Sequence, residues 1–69
     1  MKYTLTTNII YTTTKSLIKK FAIDHGCTLS QFKTNDQAGG NHLCEFTSNN
    51  LDHIQELCDQ LSLPYSKIK

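Results

Sequence analysis

One polar stretch, Asp36-Gln37-Ala38-Gly39-Gly40-Asn41, divides this chain into two halves that read alike. Adjacent glycines between two strand-like runs signal a chain reversal, because glycine takes up the positive-φ backbone of tight turns without steric cost. Ahead of the reversal the pattern reads strand, helix, strand; beyond it the pattern reads strand, helix, strand again. A chain of 69 residues has room for one such arrangement, a single compact α+β domain over residues 1–69. A chain this short buries only about 60% of the surface its unfolded form exposes.

Residues 2–11 alternate, with Tyr3, Leu5, Thr7, Ile9 and Tyr11 on one side and Lys2, Thr4, Thr6 and Asn8 on the other. β-Branched residues and tyrosine dominate, which suits a half-buried pleat with its odd positions toward the core. Ile10 falls on the polar side and marks an end or a bulge. Thr12, Thr13 and Thr14 then offer hydroxyls to the unpaired amides of a helix start. In that helix Leu17, Ile18, Phe21 and Ala22 make the buried stripe, Lys15 and Lys19 fall outside it, and Ile23 lies nearly opposite. Gly26 sits where a left-handed stop is wanted.

Across residues 27–35 the odd separation of Leu29 and Phe32 breaks strict alternation and predicts a bulge, while Lys33 and the polar remainder suit an edge strand. Residues 42–47 form the next strand, with Cys44 and Phe46 on one face and Leu43 and Glu45 on the other. A turn between Ala38 and Gly39 sets Cys44 opposite Lys33. Ser48, Asn49 and Asn50 all favour a helix cap, and an Asn49 cap puts Asp52 at the third helical position. Leu51, Ile54, Leu57, Cys58 and Leu61 give the second helix one continuous apolar stripe. Pro64 ends it, and residues 65–69 suffice for one short closing strand.

This β-α-β-β-α-β order resembles the ferredoxin-like split βαβ superfold. The resemblance implies a four-stranded antiparallel sheet in the order 4-1-3-2 with both helices on one face. It also implies that the closing strand ends beside the start of the first, gathering Lys2, Lys67 and Lys69 into a basic corner. RNA-recognition modules share the element order, and the segment from Gly39 to Phe46 is similar to their central RNP motif at Gly40 and Phe46. It departs from that motif where bases stack, at Asn41 and Leu43, and where a basic residue belongs, at Gly39.

Composition narrows the function. All seven basic residues are lysine, so nothing supplies the planar guanidinium fork that reads guanine edges or clamps phosphates bidentately. Formal net charge is only +1, too small for a global field that gathers nucleic acid or an anionic membrane. Acylphosphatase-type enzymes of the same topology depend on an arginine, and small metal chaperones need Cys-x-x-Cys where this chain has Ile9-Ile10-Tyr11-Thr12. His25-Gly26-Cys27 and His42-Leu43-Cys44 are too far apart along the expected hairpin for one tetrahedral site. Gly39-Gly40 lacks the lysine and following helix of a phosphate loop. No enzyme, metal or other cofactor is therefore expected. Cys27, Cys44 and Cys58 are odd in number and suit reduced thiols in a cytoplasmic protein. No segment reads as a signal peptide or a membrane span.

The expectation is a non-catalytic protein-binding domain, in character a phage-encoded inhibitor or adaptor acting on a host or defence protein. The phage element of this reading rests on a Thr-, Asn-, Lys- and Ile-rich chain without arginine or tryptophan, as AT-rich genomes encode. Candidate contact residues are Thr4, Thr6, Leu43 and Glu45 on the open sheet face, and Lys19, Lys20 and Ile23 on the first helix. Edge-strand pairing with a partner or a second copy is a further route. The alternative is an RNA-recognition-like nucleic-acid-binding module using Lys2, Lys67, Lys69 and Asn41.

Overall fold

The structure, a computed structural model, describes residues 2–9, 13–34 and 41–69. Three strands, β1 (Tyr3–Ile9), β2 (Thr28–Thr34) and β3 (His42–Ser48), form one antiparallel sheet in the order β1-β3-β2. Helix α1 (Lys15–Asp24) packs on β2, and α2 (Leu51–Gln60) packs on β3 and β1. The expected continuation of β1 through Ile10 to Tyr11, the Thr12 cap and the Asp36–Gly40 part of the reversal lie outside the described residues.

The four-stranded ferredoxin-like sheet is not formed. After Pro64 the chain makes a 3-10 turn (Tyr65–Lys67), and Ile68 then meets β1 in a single antiparallel bridge to Leu5. Lys69 exchanges two backbone hydrogen bonds with Thr4, at 2.8 and 3.0 Å. The turn consumes the residues a strand needs, since Lys67 N–H bonds Pro64 O and Ile68 N–H bonds Tyr65 O. It is also tied back to α2, because the Tyr65 hydroxyl donates to the Asp59 carboxylate at 2.9 Å.

Register decides which residues share a face. Leu5, Phe46 and Leu29 form one row across the three strands on the helix-covered side, and Thr7, Cys44 and Phe32 form the next. Leu5, Phe46 and Cys44 are fully buried with Ile18, Ala22, Ile54, Leu57 and Cys58 of the helices. Each large side chain among them contributes about 1.5–3 kcal/mol of transfer free energy. The Phe21 ring meets Phe46 edge-on at 6.5 Å. Phe32 pairs with Cys44, and Lys33 with Leu43, one step away from the expected Cys44–Lys33 pairing. The bulge expected in β2 lies between Leu29 and Gln31, where Ser30 donates its hydroxyl to Glu45 O or to the Glu45 carboxylate, at 3.0 and 3.2 Å.

Both helices end in the same device. In α1, Gly26 (φ 73°) donates to Ile23 O and Cys27 to Ala22 O; in α2, Ser62 (φ 57°) donates to Asp59 O and Leu63 to Cys58 O. These are Schellman motifs, in which a left-handed residue turns the chain so that two late amides satisfy two orphan carbonyls. At the starts, the Thr14 hydroxyl accepts from Leu17 N–H at 3.3 Å, and Asn50 Oδ1 accepts from Asp52 N–H at 2.9 Å. The second cap is Asn50 rather than the expected Asn49, so Asp52 occupies the second helical position. Ser48 makes the difference, since its Oγ accepts from Asn50 N–H at 3.0 Å and fixes the last residue before the helix.

Candidate functional site

The sheet face away from the helices carries three cross-strand rows: Thr4, Thr47 and Thr28; Thr6, Glu45 and Gln31; Asn8, Leu43 and Lys33. Thr4, Thr6, Leu43 and Glu45 thus share one face, with Thr6 directly opposite Glu45. No aromatic side chain occupies these nine positions, so the face has none of the flat platforms on which bases stack. Tyr3 packs instead against the core. Leu43 is half exposed amid polar neighbours, and a concavity of about 320 Å³ beside it is lined by Asn8, Lys33, Thr34 and Asn41.

Of the residues of the nucleic-acid alternative, Asn41 is set apart from Lys2 and Lys69. Asn41 adjoins His42, which pairs with Ile9, whereas Lys2 precedes Tyr3, which pairs with Ser48 at the other end of the sheet. Six steps of strand separate Tyr3 from Ile9, roughly 20 Å. Lys69 lies beside Thr4, at the Lys2 end, and Lys67 is exposed on the 3-10 turn.

Each sheet edge is blunted in part. β1 is covered at Leu5 by the C-terminal bridge, and β2 carries a bulge and Lys33, both of which discourage pairing with another strand.

Helix α1 departs from its expected stripe. Ile18 and Ala22 are buried and Phe21 is partly covered, but Leu17 is 58% exposed, as is Ile23 at 60%. At 100° per residue, Leu17 and Ile23 flank the outward face of α1 with Lys20 between them and Lys19 beyond Ile23. Lys20 bonds Asp24 at 2.8 Å one turn on, and that bond raises the Lys20 pKa. On the Leu17 side a cleft of about 280 Å³ opens between the helices, lined by Ile9, Ile18, Phe21 and Leu61 with Thr13 and Gln60 at its polar margin. Leu51, expected in the stripe of α2, is 38% exposed.

The thiols are buried and apart from these surfaces. Burial pushes the pKa of Cys27, Cys44 and Cys58 up, and neighbouring carboxylates add to the rise at Cys27 (Glu56) and Cys58 (Asp59), while a hydrogen bond from Ser48 opposes it at Cys27. All three are free. His25 donates Nδ1–H to Phe21 O at 2.8 Å, an assignment forced by the carbonyl, and its Nε2 stands 3.9 Å from a Glu56 carboxylate oxygen. The ring of His42 lies 4.7 Å from that of Phe32. Among the described residues no group of three His, Cys, Asp or Glu side chains is placed to hold a metal ion. No described helix is long and apolar enough to cross a membrane.

Compared with protein-family models, curated proteins and solved structures, the chain matches none of them significantly.

Proposed function

We propose that this domain is a non-catalytic protein-binding module whose partner docks on the outward face of α1 and into the adjoining cleft. The observation that carries this reading is Leu17, a large aliphatic side chain left 58% exposed on the rim of a concavity lined by Ile9, Ile18, Phe21 and Leu61. Isolated exposed aliphatics need no explanation, but one beside an apolar cleft offers a continuous surface for an apolar anchor. Charge defines the partner further. The exposed charges of α1 are Lys15, Lys19 and Lys20 against Asp24 alone, so the complementary surface is an apolar side chain flanked by carboxylates.

An inhibitor or adaptor that acts in the cytoplasm, encoded by a phage and directed at a host or defence protein, is the finer form of this proposal. Free buried thiols favour a reducing compartment, and the lysine-only basic content favours an AT-rich source.

Photo-crosslinking tests the reading. A photoreactive residue at position 17 captures one stoichiometric protein in host cells, the same residue at position 6 does not, and Leu17→Glu abolishes capture by a probe at position 20. Capture at position 6 alone, or salt-sensitive micromolar binding of single-stranded RNA by the purified protein, would overturn it.

A further inference from the structure

The chain carries its own complement to the lysine-bearing face of α1. Helix α2 has three carboxylates, Asp52, Glu56 and Asp59, and no lysine. At 100° per residue these three centre its outward face, opposite the buried Ile54, and all three are exposed. Leu51 borders them at the first turn, itself 38% exposed. The outward face of α1 is the converse, an exposed aliphatic, Ile23, between Lys19 and Lys20. The Lys20–Asp24 bond within α1 is exposed and contributes little, so Lys20 can turn to another carboxylate.

The two helices lie antiparallel, side by side on one face of the sheet. His53, in the first turn of α2, packs over Gly26, just past the end of α1, and His25 Nε2 stands 3.9 Å from Glu56. At the other end, Leu17 from the start of α1 meets the same cleft as Gln60 and Leu61 from the end of α2. Leu17 and Gln60 therefore mark the flanks that face each other. Ile23 on α1 and Leu51 on α2 lie on the two far flanks, level with one another along the helices.

We propose that a second copy of this chain covers the helix layer, forming a twofold dimer in which α1 of each copy lies on α2 of the other. An axis running along the helices, between the two layers, gives this arrangement. It sets Lys19 and Lys20 against the Asp52, Glu56 and Asp59 stripe and brings Ile23 to the Leu51 end of the opposing α2, twice over. The stacked helices run antiparallel, so their dipoles attract. The other twofold arrangement turns the second copy end for end and lays α1 on α1, lysine against lysine, so charge selects between them. The inference rests on the docking reading in one respect: the second copy covers the α1 face that a partner uses, so dimerisation masks that face until the partner displaces it.

Sedimentation equilibrium of the purified chain tests the dimer through a charge swap. The wild type dimerises below about 1 mM and dissociates as salt rises. Lys19→Glu with Lys20→Glu, or Asp52→Lys with Glu56→Lys, weakens self-association by about a hundredfold, because both equivalent contacts turn repulsive. An equimolar mixture of the two double variants restores the dimer, since each contact then pairs opposite charges again. Circular dichroism of each variant reports that the fold is kept. A wild type that stays monomeric up to about 1 mM overturns the proposal, as does a dimer that both variants retain or a mixture that stays monomeric. No partner is present in these measurements, so a monomer leaves the docking reading standing, and failed capture in cells leaves the dimer standing.

Discussion

Gly26 answers two demands at once, and replacing it with alanine separates them. A φ of 73° costs an L-residue about 1–2 kcal/mol, of which about 0.4–1 kcal/mol is offset by the stiffer unfolded chain. The backbone contribution is therefore roughly 0.5–1 kcal/mol. The alanine methyl also meets the His53 ring, and moving a partly buried ring aside costs about 1–2 kcal/mol more. Gly26→Ala is thus expected to destabilise the domain by roughly 1.5–3 kcal/mol. That is a large share of the roughly 3–10 kcal/mol available to a chain of this size. Urea unfolding followed by circular dichroism measures it. In a His53→Ala background the collision is gone, and the cost falls to about 1 kcal/mol. At Ser62 the same left-handed geometry holds a residue with a Cβ, so Ser62→Gly raises stability by about 0.5–1 kcal/mol. An unchanged Gly26→Ala cost without His53, or a destabilising Ser62→Gly, would refute the account of both helix ends.

The buried thiols are silent toward Ellman's reagent in the native protein, and all three react once it is unfolded. Their folded pKa values are raised, so their stabilising effect is complete below about pH 8.5, the unfolded value, and is lost as pH rises through the folded values. Stability falls above about pH 9 in urea titrations, and less so in Cys44→Ala after correction at neutral pH. The Tyr65 pKa is raised by its hydrogen bond to Asp59, so tyrosinate absorbance has a late phase that Tyr65→Phe removes. Removing residues 68–69 deletes the bridge to Leu5 and frees Thr4 N–H from Lys69 O, so the Thr4 amide exchanges faster. Unaltered exchange there would show that the C-terminus does not cover β1.

Much of the fold is legible because burial on one face of a strand or helix imposes a period. Leu5, Thr7, Cys44 and Phe46 alternate with polar residues and do face the core, and Ile54, Leu57 and Cys58 are buried at helical spacing. Gly26 has its expected left-handed geometry. The C-terminus is not legible because five residues after a proline support a turn or a strand equally, and the Tyr65–Asp59 bond that selects the turn is tertiary. Register slipped by one residue because hairpin pairing depends on turn geometry that the polar stretch around Gly39 does not dictate. Leu17 satisfies the helical stripe as well as Ile18 does. Its exposure follows from where the helices rest: α1 sits on β2, α2 on β3 and β1, and Leu17 faces the gap between them. The Lys19, Lys20 and Ile23 surface was visible as a break in that stripe.

The proposed α1 docking surface is tested most directly by calorimetric titration of the captured partner with two variants, Leu17→Glu and Leu43→Glu, side by side. The first places a charge in the cleft and the second places the same charge on the open sheet face. Leu17→Glu is expected to weaken binding by about a hundredfold, the loss of a desolvated anchor plus repulsion from the partner's carboxylates, with Leu43→Glu within about threefold of wild type. The reverse ranking would move the binding surface to the sheet and contradict the reading.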